Sequence, residues 1–250
     1  MTATARPALL AISHGTASTT GAGAVATLVD AVADRLDAPV HAGFVDVQQP
    51  DVPTCLAGLR DDPAVDATVV VPLLLSAGYH VHVDLREDVD AAAAGGDAVT
   101  LGGALGPDDR LVDVLERRLA EAGLRDDDTV VLAAAGSSDA RAVADCEATA
   151  ARLGERLGRV VAVGYIANAT PRVHEVVAAA RDRAPDRRVV VAAYLLAPGF
   201  FADLAARAGG DVTTAPLLVA HEDAPAELVD VVLDRYRAVV RAAGAPRPTA

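Results

Sequence analysis

Two histidines and one aspartate follow apolar runs of the chain at corresponding points. His14 comes directly after the run ALLAIS, Asp46 lies near the end of VHAGFVDV, and His80 follows TVVVPLLL within a few residues. Neutral imidazoles and a carboxylate are typical ligands of divalent transition metals and leave coordination positions open for a substrate. If the three runs are neighbouring strands, about 5 Å apart, these side chains meet at one edge of a sheet. The residue types therefore predict a metal site formed by His14, Asp46 and His80.

Short apolar runs alternate with alanine-rich stretches of helical period along the chain. This alternation is typical of βα units that build a parallel sheet covered by helices on both faces. Ligands bind beyond the carboxyl ends of the strands in such sheets, which is where the three candidate ligands lie. The predicted strands are 8–13, 40–47, 67–75, 97–101, 128–134, 159–166, 188–196 and 211–218. The predicted helices are 22–36, 51–60, 80–92, 108–122, 139–156, 171–182, 200–208 and 225–242.

The second half of the sequence repeats the first. TVVVPLLLSAGYH aligns with RVVVAAYLLAPGFF, which matches Gly78 with Gly199, and AISHGT aligns with AAAGSS. A repeat of this length indicates two copies of one structural unit. We therefore predict an α/β protein of two tandem (βα)4 lobes, each a four-stranded parallel sheet flanked by helices. The predicted division places residues 1–124 in the first lobe and residues 125–250 in the second.

The repeat preserves glycines but not the ionisable groups. The positions that match the three candidate ligands hold, in chain order, Ala135, Ala167 or Asn168, and Phe201. This difference predicts a single active site on the first lobe, facing a second lobe that only shapes the pocket.

The composition of the chain argues against several classes of function. The 250-residue chain has a formal net charge of −13, which argues against a nucleic-acid partner, because phosphates require a basic face. It contains no lysine, which removes the P-loop for ATP and Schiff-base chemistry. Cys55 and Cys146 are far apart and are interpreted as separate buried thiols rather than metal ligands. No apolar run reaches the roughly 18 residues of a membrane span and no signal-peptide layout is present, so we expect a cytoplasmic protein.

Simpler interpretations compete with the predicted metal site. A lone histidine after a strand is more often a hydrogen-bonded loop residue than a metal ligand. His82 is expected on the solvent face of the helix that follows the third strand, or behind the ligands as a partner of one of them. His41, His174 and His221 lie away from the other candidates and are expected to be surface or structural residues.

A glycine motif leaves a second alternative open. The segment GAGAVA, residues 21–26, matches the G-x-G-x-x-A pattern of dinucleotide-binding turns, and Asp46 follows about 20 residues later. That motif belongs at the strand–helix turn itself, whereas residues 13–20 intervene here. We therefore expect neither a nicotinamide cofactor nor ATP, and keep a nucleotide-binding oxidoreductase only as an alternative.

The stretches LLAISHGT, FVDVQQPDV and VVVPLLLSAGYHVHVDL resemble the class II chelatases of the sirohydrochlorin chelatase type. The likeness spans both lobes, including a second half without the histidines. It implies ATP-independent insertion of Fe²⁺ or Co²⁺, and of Ni²⁺ in some relatives, into sirohydrochlorin for sirohaem or cobalamin biosynthesis. His14 and His80 are implied as catalytic residues and metal ligands. Asp46 stands where the family usually has glutamate, and is implied to assist as a ligand or through water.

The resemblance also implies a substrate bound between the lobes. Sirohydrochlorin carries several carboxylates, so the pocket needs hydrogen-bond donors despite the negative charge of the chain. Because one chain holds both lobes, a monomer suffices. A non-catalytic tetrapyrrole or metal carrier with the same fold is the alternative function. The expected substrate-binding residues are Gly15, Thr16, Gly78, Tyr79, Gly136 and Ser137, with Ser138, Arg86 or Arg141 as further donors.

Overall fold

Two parallel sheets form the frame of the molecule. The computed structural model describes residues 6–76 and 78–244, and describes the backbone alone for residues 79–83. The strands are β1 (Ala8–Ser13), β2 (Val40–Phe44), β3 (Thr68–Pro72), β4 (Val99–Leu101), β5 (Thr129–Ala134), β6 (Val161–Tyr165), β7 (Val189–Tyr194) and β8 (Val212–Thr213). They pair in the orders β2-β1-β3-β4 and β6-β5-β7-β8, with every pair parallel. The predicted α/β fold of two four-stranded lobes is thereby confirmed.

A helix follows each strand, as a parallel sheet requires. None of the described helices is both long enough and apolar enough to cross a membrane. Their bounds are α1 (Thr19–Ala33), α2 (Val52–Arg60), α3 (Tyr79–Ala94), α4 (Asp109–Glu121), α5 (Ala140–Leu157), α6 (Val173–Arg183), α7 (Phe200–Ala206) and α8 (Ala226–Gly244).

Alternate residues of the central strands face two different cores. Leu9 and Ala11 of β1 point into a large core that α1, α4, α5 and α8 share between the two sheets. Leu10 and Ile12 point instead into an outer core beneath α2 and α3. The second lobe has a matching outer core beneath α6 and α7. The two sheets thus enclose one common layer of helices, which explains why the central strands are apolar on both faces.

The last helix of each lobe packs on the sheet of the other lobe. α8 contacts β3, and α4 contacts β7. α4 and α8 also contact one another between the sheets. Each lobe therefore completes the helix layer of its neighbour. The predicted division near residue 124 falls in the segment between α4 and β5 and remains a prediction.

The predicted elements are all present, and the largest errors lie at their ends. α1 begins three residues before the predicted start, because the Ser18 side chain accepts a hydrogen bond from the Gly21 N–H and caps the helix earlier. β8 has two residues instead of eight. The Thr214 hydroxyl replaces a backbone partner there by accepting from the Ala193 N–H at 3.0 Å, and Pro216 lacks the N–H that a longer strand would need.

The backbone repeats with an offset of 121 positions. Gly15 and Gly136 both have left-handed backbones, with φ of 85° and 90°. Val47 and Asn168, the same distance apart, have φ of 64° and 52°. Isolated bridges also recur at equivalent places, Phe44 with Asp51 and Tyr165 with Arg172. The two lobes therefore share loop geometry as well as strand order, although their side chains differ.

Candidate active site

His14 and Asp46 lie side by side where strands β1 and β2 end. The pairing of these strands continues past their last residues, since the Val45 N–H donates to the Ser13 carbonyl at 3.0 Å and the Asp46 N–H donates to the His14 carbonyl at 3.3 Å. Both His14 and Asp46 are exposed at this edge, whereas Ser13 is buried. The structure thus brings two of the three predicted ligands together by their backbones.

Gly15 allows the two loops to approach so closely. A side-chain carbon at this position would collide with the Asp46 carbonyl oxygen, and the φ of 85° is one that residues with side chains rarely adopt. Gly136 is held in the same way against Ala167 of the second lobe. Gly15 therefore has a backbone role beside the predicted site, in addition to any contact with substrate.

Gln48 is a further residue of this edge, and the sequence analysis did not identify it. Its side-chain oxygen accepts a hydrogen bond from the Thr16 N–H at 2.8 Å, and its own N–H donates to the Asp46 carbonyl at 2.6 Å. Gln48 thereby ties the loop after β1 to the loop after β2. The Thr16 N–H, predicted to bind a substrate carboxylate, is already bonded to Gln48 in this conformation. Its only sequence signal is its place in the segment FVDVQQPDV.

The Asp46 carboxylate is partly engaged. Its Oδ1 accepts a hydrogen bond from the Val47 N–H at 2.7 Å, which orients the group. Its Oδ2 accepts no hydrogen bond from the side chains and backbone that the structure describes. One oxygen of Asp46 is therefore directed by the loop, while the other is available to a ligand.

His80 lies in the first turn of α3, which begins after Gly78. The side chains of Tyr79, His80 and His82 fall outside the described residues, so the predictions for them are neither supported nor contradicted. Among the side chains that are described, no three from His, Cys, Asp and Glu converge on a metal site. The predicted site of His14, Asp46 and His80 therefore remains a prediction.

The loops of the two lobes meet in a crossed pair of contacts. The backbone at Gly78, after β3, packs on Ser137, after β5; a side-chain carbon at Gly78 would lie 3.4 Å from the Ser137 Oγ. In the same way, a side-chain carbon at Gly199, after β7, would lie 3.1 Å from the Oγ1 of Thr16, after β1. The loops that follow the strands of the two sheets therefore meet at Gly78 with Ser137 and at Gly199 with Thr16.

The second lobe also anchors the segment that leads to His80. The Tyr194 hydroxyl donates a hydrogen bond to the Leu75 carbonyl at 2.9 Å, and the Thr149 hydroxyl lies 3.4 Å from the same Tyr194 oxygen. Ser76 is hydrogen-bonded to the Cys146 thiol. Burial raises the pKa of the Tyr194 hydroxyl far above its usual value, so it remains a donor at neutral pH.

Neither cysteine belongs to a group of three metal-binding side chains among the residues that the structure describes. Cys146 is buried, and burial is the main reason that its pKa rises to about 11, which keeps the thiol protonated. Cys55 is half-buried behind β2, and burial again raises its pKa. The prediction of separate unpaired thiols is confirmed, although Cys55 is less buried than expected.

Two other sequence candidates have structural explanations. Gly21 and Gly23 lie inside α1 rather than at the turn after β1. A side-chain carbon at Gly21 would collide with the Pro198 carbonyl, so packing between the lobes accounts for this glycine. Arg141, predicted to donate hydrogen bonds to the carboxylates of the substrate, already binds the Asp139 carboxylate at 2.9 Å.

A cavity of about 570 Å³ lies away from these residues, between β6 and α6 on the flank of the second sheet. None of the predicted site residues lines it. The candidate catalytic side chains lie in the loops that follow the strands, and not in this cavity.

The comparisons with known proteins cover both lobes. The profile of the CbiX family matches residues 8–122 and 129–221. A sirohydrochlorin ferrochelatase from Priestia megaterium is 28% identical over 198 residues, which make up 77% of this chain and 74% of the relative. SirB from Bacillus subtilis, solved with Fe³⁺, is 21% identical with a TM-score of 0.75, covering 93% of this chain and 94% of that one. The sirohydrochlorin chelatase SirB from Bacillus subtilis subspecies spizizenii, in complex with cobalt, is 21% identical with a TM-score of 0.73, covering 94% and 96%. These two structures confirm the predicted class II chelatase-like fold.

Proposed function

Because this chain belongs to the CbiX family, we propose that it is a sirohydrochlorin metallochelatase, which inserts Fe²⁺ or Co²⁺ into sirohydrochlorin without ATP. The observation that carries the proposal is the family match over both lobes, joined to the adjacent placement of His14 and Asp46 at the ligand edge of the first sheet. One similar protein is named for iron and another was solved with cobalt, which supports a divalent metal as the second substrate. Ni²⁺ has the same ligand preferences.

The reaction exchanges two protons for one metal ion. The metal leaves its protein and water ligands for the four ring nitrogens, and two pyrrole N–H protons are released. Imidazole, with an ordinary pKa near 6.5, accepts such protons at neutral pH and binds metal reversibly. We assign this work to His14 and His80. Asp46 assists with its second oxygen, either on the metal or through a water molecule.

A site without thiolate suits this chemistry. Thiolates hold transition metals tightly, whereas imidazole and carboxylate ligands release them more readily to a macrocycle. The buried Cys146 keeps its proton and stays behind the loops, as its raised pKa indicates. No redox or phosphoryl step is needed, which agrees with a sequence that lacks the P-loop lysine.

The substrate is proposed to bind where the two lobes meet. Gly15, Thr16, Gly78, Tyr79, Gly136 and Ser137 form the proposed contacts. The Ser137 Oγ accepts a hydrogen bond from the Asp139 N–H at 3.1 Å, so its own proton remains available for a substrate carboxylate. Gly78 has no side chain to cap α3, so the first N–H groups of that helix are left for another acceptor.

We propose different roles for the two lobes. The first lobe, residues 1–124, carries the catalytic groups, and the second lobe, residues 125–250, closes the site. Since both halves of the cleft lie in one chain, we expect a monomer, which sedimentation at several concentrations tests. We also propose a cytoplasmic location.

The deciding experiment follows absorbance after Fe²⁺ or Co²⁺ is added anaerobically to protein and sirohydrochlorin. His14→Ala and His80→Ala should each slow insertion by at least about 100-fold. His41→Ala, on the exposed side of β2, is the matched control and should keep the wild-type rate. Circular dichroism checks that each variant is folded.

Two outcomes would contradict the proposal. Near wild-type insertion by His80→Ala would remove the predicted catalytic set. Tight binding of sirohydrochlorin by the wild type without any acceleration of insertion would identify a tetrapyrrole carrier instead.

A further inference from the structure

Two exposed phenylalanines stand apart from the other aromatic residues. The chain has only four tyrosines and three phenylalanines. Tyr165, Tyr194 and Tyr236 are buried. Phe200 and Phe201, by contrast, are 68% and 41% exposed. Their rings lie 6.0 Å apart in an edge-to-face arrangement, so they form one apolar surface. Large side chains left in water in this way often mark a binding surface.

This aromatic pair lies where the second lobe touches the catalytic loop. Phe200 is the first residue of α7 and directly follows Gly199. Gly199 packs on Thr16, and the Pro198 carbonyl packs on Gly21 at the start of α1. Thr16 is two residues from His14. The pair therefore begins α7 directly after a residue that contacts the loop carrying the first candidate catalytic histidine.

Exposed apolar surface is concentrated at this edge. Among the described residues, the other large exposed apolar side chains are Val47 and Val160. Val47 follows β2 beside Asp46, at the ligand edge of the first sheet. Val160 precedes β6 and so lies at the opposite end of the second sheet. Three of the four exposed groups thus border the ends of strands where a ligand binds in parallel sheets.

The internal repeat gives the pair a specific counterpart. Phe200 and Phe201 lie 121 positions after Tyr79 and His80. Both pairs follow a glycine that packs on the loop after the first strand of the other lobe. Where the first lobe has an imidazole, the second lobe has a benzene ring, which neither binds a divalent metal nor accepts a proton.

We propose that Phe200 and Phe201 bind the flat face of the tetrapyrrole, a role that rests on the proposed function and assigns the second lobe to holding the ring. A tetrapyrrole has a broad apolar face and carboxylates at its rim, so it requires an apolar wall as well as polar donors. The aromatic pair supplies that wall without competing with the histidines for metal. The rim carboxylates remain for Ser137 and the backbone N–H groups nearby.

The test is an anaerobic titration of metal-free sirohydrochlorin, followed by its absorbance, with insertion rates measured on the same samples. The double variant Phe200→Ala/Phe201→Ala should raise the Kd for sirohydrochlorin about ten-fold or more, as loss of stacking on a planar ring does elsewhere. Phe200→Tyr/Phe201→Tyr keeps both rings and should bind like the wild type. Val160→Ala removes an even more exposed apolar side chain, 88% exposed, at the far end of the sheet and should leave the Kd for sirohydrochlorin unchanged.

Further measurements separate a binding role from a structural one. Because Phe200 is 68% and Phe201 41% exposed, the double alanine variant should stay folded and lose only a few degrees of melting temperature. It should also keep the affinity for Co²⁺ in the absence of sirohydrochlorin, since neither ring is a ligand.

An unchanged Kd in the double alanine variant, with normal insertion, would overturn this inference and leave the proposed function standing. A wild type whose sirohydrochlorin binding depends on the aromatic pair, yet which inserts no metal, would support the inference and overturn the proposed function. A wild type that binds no sirohydrochlorin would overturn both. Loss of self-association in the double variant with an unchanged Kd would identify a contact between two copies and also overturn the inference.

Discussion

The Tyr194 hydroxyl donates a hydrogen bond over 2.9 Å to the carbonyl of Leu75, across the boundary between the lobes. Tyr194 ends the central strand of the second sheet and is 2% exposed. Leu75 follows the central strand of the first sheet and precedes the predicted catalytic His80 by five residues. A buried side chain of the second lobe therefore fixes the backbone that leads to the predicted catalytic residue.

Replacing Tyr194 with phenylalanine tests this relationship. Removing one hydroxyl should lower the free energy of unfolding by about 1 kcal/mol, because the Leu75 carbonyl loses its partner. It should also reduce the insertion rate several-fold, since the segment before His80 loses an anchor. Urea denaturation and initial rates measure the two effects.

Tyr165→Phe is the matched control for Tyr194→Phe. The Tyr165 hydroxyl is 3.5 Å from the Val143 carbonyl, which is too long for a strong hydrogen bond, and both partners belong to the second lobe. Its removal should leave insertion unchanged. Equal insertion rates for the two variants would show that the Tyr194 hydroxyl does not position the segment.

Gly21 and Gly23 should respond in opposite directions to alanine. A side-chain carbon at Gly21 collides with the Pro198 carbonyl, so Gly21→Ala should destabilise the protein by about 1–3 kcal/mol. A side-chain carbon at Gly23 has nothing within 4 Å, so Gly23→Ala should stabilise α1 by about 0.5–1 kcal/mol. Thermal and urea unfolding of both variants provide the comparison. A stabilised Gly21→Ala would contradict the close packing of the lobes.

Val47 adopts a backbone conformation that a β-branched residue disfavours. Its φ of 64° is left-handed, which costs an ordinary residue roughly 1–2 kcal/mol and asparagine less. Because Val47 is 59% exposed, Val47→Asn gives up little burial and should stabilise the protein by about 1 kcal/mol. Asn168→Val, at the equivalent position, should destabilise it by a similar amount. No change in either variant would indicate that the loops relax around this position.

Asp128 should make stability depend on pH at the start of the second sheet. Its buried carboxylate accepts hydrogen bonds from the Arg188 Nε at 3.0 Å and Nη2 at 2.6 Å, and from the Arg125 N–H at 2.8 Å. The hydrogen bond from Arg188 is the main reason that its pKa lies below the ordinary 3.8. The ion pair therefore stabilises the fold above the ordinary pKa, and this contribution is lost as the pH falls through the lowered value.

Asp128→Asn should destabilise the protein by about 2 kcal/mol at neutral pH, because Arg188 loses its charged partner. The difference from the wild type should narrow below about pH 4, where the carboxylate of the unfolded chain takes up a proton while the native one stays ionised. Urea denaturation of both proteins at a series of pH values, from neutral downward, measures this difference in the free energy of unfolding. A difference that stays constant with pH would assign the loss to packing rather than to charge.

The strands were predictable where burial covers both faces. β1 was predicted at its observed bounds, because the apolar run ALLAIS is bordered by polar residues as the strand ends. The bounds of β8 were predicted wrongly, because the apolar run continues after the strand ends. Leu217 and Leu218 are buried outside the sheet, and their N–H groups donate to the carbonyls of Leu195 and Leu196. Apolar character predicts burial, and the backbone partner decides whether a buried residue is in a strand.

The candidate site was predictable in part for the same reason. His14 directly follows β1 and Asp46 lies two residues after β2, so the pairing of these two strands places them together. Gln48 escaped prediction because its role depends on how two loops fold back on each other. The sequence identifies Phe201 only as the residue that matches His80, and it does not single out Phe200, since exposure cannot be read from a residue type that is usually buried.

The same contact occurs twice between the lobes, once between Gly78 and Ser137 and once between Gly199 and Thr16. An isologous interface between identical subunits repeats its contacts in the same way. In a dimer of identical chains, every substitution changes both halves of such an interface at once. Covalent linkage removes that coupling, so one half can keep an imidazole where the other acquires a benzene ring. An active site with chemically different walls therefore requires the two lobes to be encoded separately, and a single chain provides this while it retains the symmetric backbone.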